Sequence, residues 1–228
     1  MFDRGVESNS VEWKLFAGVP AEDVRRVLGI ARRRTFKRGE VVVHEGDPAD
    51  SLHLVVNGRF AVQRTTRLGE DALIAVQGPG DAFGELALVE SGSRSATVYA
   101  LEPAETLSVH RIEFDELRAK HPSVDRMLVT LLAHQVRRMD GLVTEAYYDD
   151  AGKRLLRRLL ELAAVYDNGD DDVVIPLTQE QLASLAGASR ATVSAVLSAE
   201  RRRGSIALRR GATVLLDRES LARRASAA

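Results

Sequence analysis

The chain has 228 residues, a formal net charge of −1, 45% hydrophobic residues and no cysteine. That is enough apolar material for one large domain or two small ones, and the near-neutral balance points to no charged partner. The lack of cysteine excludes structural disulfides, thiolate metal sites and iron–sulfur ligation, and no apolar run approaches the roughly 20 residues needed to span a membrane.

Residues 1–10, MFDRGVESNS, are polar, lack a signal-peptide core and read as a frayed end, so a cytoplasmic protein is the expectation. Pro20-Ala21-Glu22-Asp23 opens a short helix, with Pro in its first turn and Val24, Val27 and Leu28 as an apolar stripe. From Thr35 to Val109 the pattern becomes β-rich. Val41–Val43, Leu52–Val56, Phe60–Val62 and Leu73–Val76 alternate with turns at Gly39, Gly46-Asp47-Pro48, Asn57-Gly58, Leu68-Gly69 and Gly78-Pro79-Gly80. Short strands with frequent turn signals predict a sandwich or barrel. His44, Glu45 and His53 have the wrong spacing for a cupin-type metal site and read as exposed polar residues of turns and strands.

The stretch Phe83–Val98, FGELALVESGSRSATV, concentrates chemistry. Gly84 allows close backbone approach to a ligand. A helical turn over Glu85–Leu88 would aim its free N–H groups at an anion. Arg94 offers a planar fork of donors for a phosphate and Ser95 a hydroxyl, while Glu85 can accept from a sugar hydroxyl. The alternative is a charged surface loop in which Glu85 and Arg94 pair.

Pro122 starts a helical pattern that runs to about Tyr148. Leu128, Leu132, Gln135, Met139, Leu142 and Ala146 recur at 4-3-4-3-4 spacing, a coiled-coil seam. At about 1.5 Å per residue it spans roughly 40 Å. Such a seam needs a partner, either a second copy or the chain's own β domain, and Gln135 suits a register device. Asp149-Asp150-Ala151-Gly152 breaks the pattern. An amphipathic helix follows over Lys153–Tyr166, then an acidic run, Asp167–Asp172, whose glycine is misplaced for a calcium loop, then a strand at Val173–Ile175.

Thr178-Gln179-Glu180-Gln181 has the form of a capping box. It opens a helix through Leu182 and Leu185 that ends at Gly187. Ser189 caps a second helix with Val193, Val196 and Leu197 inward and Arg190, Ala191, Ser194 and Ala195 outward. This reads as a helix-turn-helix. Strands at Ile206–Leu208 and Thr213–Leu216, with Arg209-Arg210-Gly211 between them, read as a wing. From Glu200 to Ala228 eight arginines face three acids, a net charge of +5 that suits DNA phosphates. An ordinary helical hairpin and a solvated charge run are the alternatives.

Gly84-Glu85-Leu86-Ala87-Leu88 followed by Arg94-Ser95-Ala96-Thr97 resembles the phosphate-binding cassette of cyclic-nucleotide-binding domains. From about Leu15 to Leu216 the chain resembles the Crp–Fnr family of bacterial transcription regulators. The resemblance implies an α+β fold: a β-roll (jelly roll) over 11–121, a dimerisation helix over 122–149 and a winged helix-turn-helix over 150–228. It implies that Glu85 holds the ribose 2′-hydroxyl. Arg94, Ser95 and the backbone near Gly84, Leu86 and Ala96 would hold the cyclic phosphate. On the DNA side it implies a guanine read by Arg190 through O6 and N7, and phosphate contacts from Ser189 and Thr192. Thr178, Gln179, Ala191, Ser194, Ala195, Arg209 and Arg210 complete the implied interface.

Two departures stand out. In cyclic-AMP-responsive members a hydroxyl pair follows an arginine pair on the long helix; here Arg137-Arg138 leads into Met139-Asp140-Gly141-Leu142-Val143, and the first hydroxyl is Thr144. Contact with the base is either lost or remade by Asp140 or Thr144, which predicts weak or base-tolerant binding. On the recognition helix, Ala191 and Ala195 stand where relatives carry a glutamate and a second arginine. The expected function is a homodimeric, ligand-gated, DNA-binding regulator, with cyclic AMP as first effector and no cofactor, metal or catalytic residue. Its expected partners are operator DNA, a second copy and RNA polymerase, with no membrane. The alternatives are a member that binds DNA constitutively after losing its effector response, and a regulatory cyclic-nucleotide module without DNA binding. Haem-type gas sensing is a further rival and would need an axial ligand among the five histidines.

Overall fold

The structure, a computed structural model, describes residues 13–226 apart from 18, 68, 70, 90 and 91. The frayed-end reading of residues 1–10 falls outside the described residues, as do the first two positions of the expected β-roll. The chain divides into two compact units. One contains the residues up to Phe60 together with Gln77–Ser95 and Tyr99–Ala133; the other contains Ala61–Val76, Ala96–Val98 and the chain from His134 onward.

After a 3-10 turn at Lys14–Phe16 comes helix α1 (Ala21–Gly29). Pro20 is its N-cap rather than part of its first turn. The strands that follow are β1 (Arg32–Phe36), β2 (Val41–Val43), β3 (Ser51–Asn57), β4 (Phe60–Thr65), β5 (Asp71–Gln77), β6 (Ala82–Phe83), β7 (Thr97–Ala100) and β8 (Ala104–His110). They form two four-stranded sheets, in the orders β1-β8-β3-β6 and β2-β7-β4-β5. In the first sheet β3 is central, and Ser51 to Val55 are buried on both faces. Strand β1 begins three residues before the expected β-rich region, because Arg32-Arg33-Arg34 does not read as a strand. It is tolerated as an exposed edge strand whose arginines find carboxylates: Arg32 pairs with Glu113, and Arg33 with Glu105 at 2.5 Å.

Helix α2 (Arg111–Lys120) and the start of α3 (Val124–Tyr148) close this unit. Its core joins Phe16, Val27, Leu52, Leu54, Leu88, Val109, Phe114, Val124 and Leu128. A fully buried side chain such as Phe114 contributes about 1.5–3 kcal/mol relative to exposure. Asp23, 3% exposed, is held by Arg26 at 2.6 Å and by the Ser123 hydroxyl at 2.9 Å, so α1 is tied to the turn before α3.

One residue of the expected seam on α3 is taken up by the core. Leu128 belongs to the core of the first unit and is 6% exposed. The outward stripe is Val129, Leu132, Val136, Met139 and Val143, joined by Leu142 and Ala146, with most of these exposed. Gln135 is half-buried. The expected and observed rows share Leu132, Met139, Leu142 and Ala146; Leu128 leaves the row because it packs inward.

In the second unit, Asp150 caps α4 (Ala151–Tyr166) by accepting from the amides of Gly152 and Lys153, and the first of these bonds is 2.7 Å. The Lys153 amide above all, and then that of Gly152, hold the Asp150 carboxyl below its ordinary pKa. Strand β9 (Val173–Ile175), helices α5 (Gln179–Ala186) and α6 (Arg190–Arg202), strands β10 (Ile206–Arg209) and β11 (Ala212–Leu215), and helix α7 (Arg218–Ser226) complete the chain. The small sheet runs β10-β11-β9, all antiparallel. Helix α7 had no counterpart in the sequence reading. Among the described residues no single helix is long and apolar enough to cross a membrane.

Candidate functional sites

The cassette is built around Gly84. This residue ends β6 with φ 78°, a left-handed conformation that glycine adopts without strain, and it caps a 3-10 turn at Glu85–Leu88. A methyl group at Gly84 would lie 2.4 Å from Nη1 of Arg94 and 2.8 Å from the Ser51 carbonyl oxygen. Glycine is therefore required by both conformation and space.

Arg94 is placed by its own backbone. Its N–H donates to the Asp47 carbonyl at 2.8 Å, and its carbonyl accepts from Gly46 at 2.9 Å. Ala49 donates to Gly92 at 2.9 Å. Segment 92–94 is thus stitched to the turn before β3, which sends the Arg94 side chain inward to 6% exposure. There Nη1 donates to the Ser51 carbonyl at 2.6 Å, while Nη2 donates to the Ser51 hydroxyl at 2.8 Å and to Asp50 Oδ1 at 3.2 Å. Burial lowers the Arg94 pKa; Asp50, Asp47 and Glu85 oppose that. The sequence reading had Arg94 as an open donor, whereas in the structure its fork is anchored on β3.

His53 extends this network. It lies two residues after Ser51 on the same face of β3, 4% exposed. Its ring stacks on Phe83 at 5.0 Å, and Nδ1 sits 3.1 Å from the Thr106 hydroxyl. Burial, and then the charge of Arg94, push its pKa down to about 3, so the imidazole is neutral. The expectation of an exposed strand histidine is corrected: the ring lies under the cassette, and one nitrogen is turned to a hydroxyl. Among the described residues no group of three metal-type side chains gathers.

Glu85 is half-buried, Leu86 is 41% exposed, Ser95 is exposed and Ala96 is buried. Gly84, Glu85, Leu86, Arg94 and Ser95 fall in the first unit, while Ala96, the residue before β7, falls in the second. Asp140 and Thr144 also lie in the second unit, exposed on α3, where the Thr144 hydroxyl donates to the Asp140 carbonyl at 2.9 Å.

The DNA half follows its local rules closely. Thr178 Oγ1 accepts from the Gln181 amide at 3.2 Å, and Gln181 Oε1 accepts from the Thr178 amide at 2.9 Å, completing the capping box. Gly187 (φ 56°) ends α5, and the chain bends by 106° into α6. Ser189 caps α6 by accepting from the Thr192 amide at 3.1 Å, and the two hydroxyls lie 2.8 Å apart. Both hydroxyls are therefore already engaged, that of Ser189 as the cap and that of Thr192 with Ser189. Val193 and Leu197 are fully buried, while Arg190, Ala191, Ser194 and Ala195 are exposed together on one face. Thr178 is exposed and Gln179 half-buried at the start of α5.

Arg209 and Arg210 are exposed at the β10–β11 turn, where Gly211 has φ 73°. Four of the eight C-terminal arginines are spent internally. Arg203 and Arg224 hold the buried Glu200, Arg218 pairs with Asp167 at 2.6 Å, and Arg223 pairs with Glu219 at 3.6 Å. Arg201, Arg202, Arg209 and Arg210 make no ion pair among the described residues and are the cations on offer to a phosphate backbone.

Residues 33–121 match the family description "Cyclic nucleotide-binding domain", and residues 153–224 match "Crp-like helix-turn-helix domain". A CRP-like cAMP-activated global transcriptional regulator of Mycobacterium tuberculosis is 31% identical over 92% of this chain and 96% of its own. The chain belongs to the Crp–Fnr family of transcription regulators. As a family member it is a DNA-binding transcription regulator with a cyclic nucleotide-binding domain. The crystal structure of Thermus thermophilus catabolite activator protein is 32% identical, with a TM-score of 0.53, over 92% of this chain and 97% of that one. FixK2 from Bradyrhizobium japonicum shares the fold, with a TM-score of 0.74 at 22% identity over 87% of this chain and 99% of its own.

Asp50, Ser51 and His53 are the residues that sequence reasoning missed. The available signal was the two-residue period of β3, which puts Ser51 and His53 on one face. Nothing in the sequence paired that face with Arg94.

Proposed function

We propose that this Crp–Fnr regulator is a homodimer whose affinity for operator DNA is set by a purine cyclic nucleotide, with cyclic AMP as the first effector. The observation that carries this reading is the Gly84–Arg94 arrangement. A glycine that admits no side chain, a 3-10 turn over Glu85–Leu88 and a guanidinium anchored on β3 together suit a cyclic phosphate. Glu85 takes the ribose hydroxyl; Arg94, Ser95 and the backbone of Gly84, Leu86 and Ala96 take the phosphate. The cAMP-activated relative from Mycobacterium tuberculosis supports the choice of nucleotide.

Dimerisation uses the exposed stripe of α3, from Val129 through Met139 to Ala146. The β-roll covers 11–121, the dimerisation helix 122–149 and the DNA-binding domain 150–228, with the hinge at Asp149–Gly152. Effector and DNA are coupled only if the ligand binds one arrangement of that hinge better than the other. RNA polymerase is the further protein partner, the setting is the cytoplasm, and the protein acts by binding rather than by catalysis. Each half-site holds a guanine read by Arg190.

One observation favours a reduced effector response. The Thr144 hydroxyl is already bonded to the Asp140 carbonyl, so a base contact there would have to break that bond. Calorimetry with cyclic AMP and cyclic GMP tests the reading. Binding of both with less than about tenfold preference, a difference under about 1.4 kcal/mol, fits it. No heat with either nucleotide contradicts it. Light scattering at micromolar concentration should give the dimer mass, and a monomer contradicts the assembly.

A further inference from the structure

Arg154, in the first turn of α4, spends its guanidinium on three backbone carbonyls. Nη1 donates to Asp149 at 2.8 Å, Nε to Ala186 at 3.0 Å and Nη2 to Gly187 at 3.0 Å. Asp149 follows α3, and its amide still donates to the Glu145 carbonyl at 3.1 Å. Ala186 is the last residue of α5, and Gly187 is its C-cap. One planar group therefore bridges the end of the long helix and the turn of the helix-turn-helix. Both acceptor groups are helix carbonyl ends, where a cation is favoured. Only a rigid fork reaches three diverging acceptors; an ammonium on a flexible stem does not.

The neighbouring side chains stiffen the same joint. Arg157 holds the Asp149 carboxylate and donates to the Ala225 carbonyl at the end of α7 at 3.3 Å. Arg158 holds Glu145 of α3 and, at 2.8 Å, Glu161 of α4. Beyond Gly187 little freedom remains: the Ala188 amide donates to the Ala183 carbonyl at 3.0 Å, and Ser189 is already the cap of α6. The position of Gly187 therefore fixes the end of α6 that carries Arg190.

We propose that Arg154 is a positioning residue for operator recognition. In the hinge arrangement of this structure it keeps the start of the recognition helix in register with the end of the dimerisation helix, so that in this arrangement the two recognition helices of a dimer present one defined span. The inference rests on the dimer reading above. Two half-sites about one helical turn apart demand that span. Slack between α3 and α6 costs orientational order in a complex with two half-sites and costs nothing when a single half-site is bound.

The test uses full-length wild type, Arg154→Gln and Arg154→Lys. Operators selected by the wild type from random DNA supply one duplex with both half-sites and one in which a half-site is scrambled. Affinities for both are measured by fluorescence anisotropy at one salt concentration, with light scattering on each protein. Both variants should bind the single half-site within about twofold of wild type and lose roughly tenfold on the full site, a change of about 1.4 kcal/mol. Equal losses on the two duplexes would overturn the proposal, since Arg154 would then only support the fold. So would an Arg154→Lys protein that matches wild type on the full site. A dimer with equal losses overturns this inference alone, whereas a monomeric wild type overturns the dimer reading and this inference with it.

Discussion

Nη1 of Arg94 donates to the carbonyl of Ser51 at 2.6 Å, so the cation of the cassette is anchored on a β-strand and not on its own loop. A long, flexible side chain gains a fixed direction in this way before any ligand arrives, and less ordering remains to be done on binding. Replacing Arg94 by Ala removes the cation and strands the Ser51 carbonyl, while the Ser51 hydroxyl keeps its bond to Asp50 Oδ1 at 2.9 Å. We expect a loss of about 1–3 kcal/mol of stability from that unmet carbonyl. We also expect loss of ligand stabilisation, which for wild type should be about 2.7 kcal/mol at 100 times the dissociation constant. Thermal unfolding with and without cyclic AMP measures both. An Arg94→Ala protein stabilised as much as wild type would refute the assignment.

Gly84→Ala tests the other side of the same contact. The new methyl would sit 2.4 Å from Arg94 Nη1 on a backbone with φ 78°. We expect about 1–3 kcal/mol of strain and a displaced guanidinium, hence weaker nucleotide binding in a protein that still folds. Unchanged binding by calorimetry would show that the Gly84–Arg94 contact does not shape the site.

His53 gives the stability of the protein a pH dependence of known sign. Burial holds its folded pKa at about 3, below its ordinary 6.5. As pH falls, the unfolded chain therefore binds a proton before the folded one does. The contribution is fully present above pH 6.5 and is lost as pH falls from there toward 3, at up to about 1.4 kcal/mol per pH unit. Denaturant unfolding at pH 7.0, 6.0 and 5.0 should show a shallower decline in His53→Gln than in wild type. Parallel declines would mean that His53 protonates in the folded protein.

On the DNA face, Arg190 and the wing arginines should fail differently. Arg190→Ala should cost about 1–3 kcal/mol and relax the preference at one position per half-site. Arg209→Ala or Arg210→Ala should weaken all sequences alike and lower the salt slope. Binding titrations on selected and scrambled duplexes across a salt series separate the two. An Arg190→Ala protein that keeps its full sequence preference would place base reading elsewhere.

What was legible in the sequence was what is encoded locally. The capping box at Thr178, the Ser189 cap, the Gly187 stop and the alternation of strands and turns each follow from neighbours along the chain, and all appear in the structure. Gly84, with its left-handed backbone and one helical turn behind it, could be read in the same way. Long-range pairing could not. The anchoring of Arg94 on Ser51 joins residues 43 apart, and the loss of Leu128 from the α3 seam depends on its meeting a core assembled from distant strands. Strand β1 was hidden because its arginines lie on an exposed edge, where partners in β8 and α2 matter more than β propensity. The basic excess after Glu200 was legible as a sum but not in its placement: a charge count cannot show that Arg203 and Arg224 are spent on Glu200 while Arg209 and Arg210 stand at the wing turn.

The central claim is that a cyclic nucleotide sets the affinity of this regulator for DNA. The direct measurement is the dissociation constant of the selected operator duplex for wild-type protein, by fluorescence anisotropy, with and without saturating cyclic AMP. A coupling of about 1–3 kcal/mol predicts tightening of about 5–150-fold, toward the low end because Thr144 is already engaged. Arg94→Ala should show no tightening. Equal operator affinity with and without the nucleotide in wild type would contradict the account.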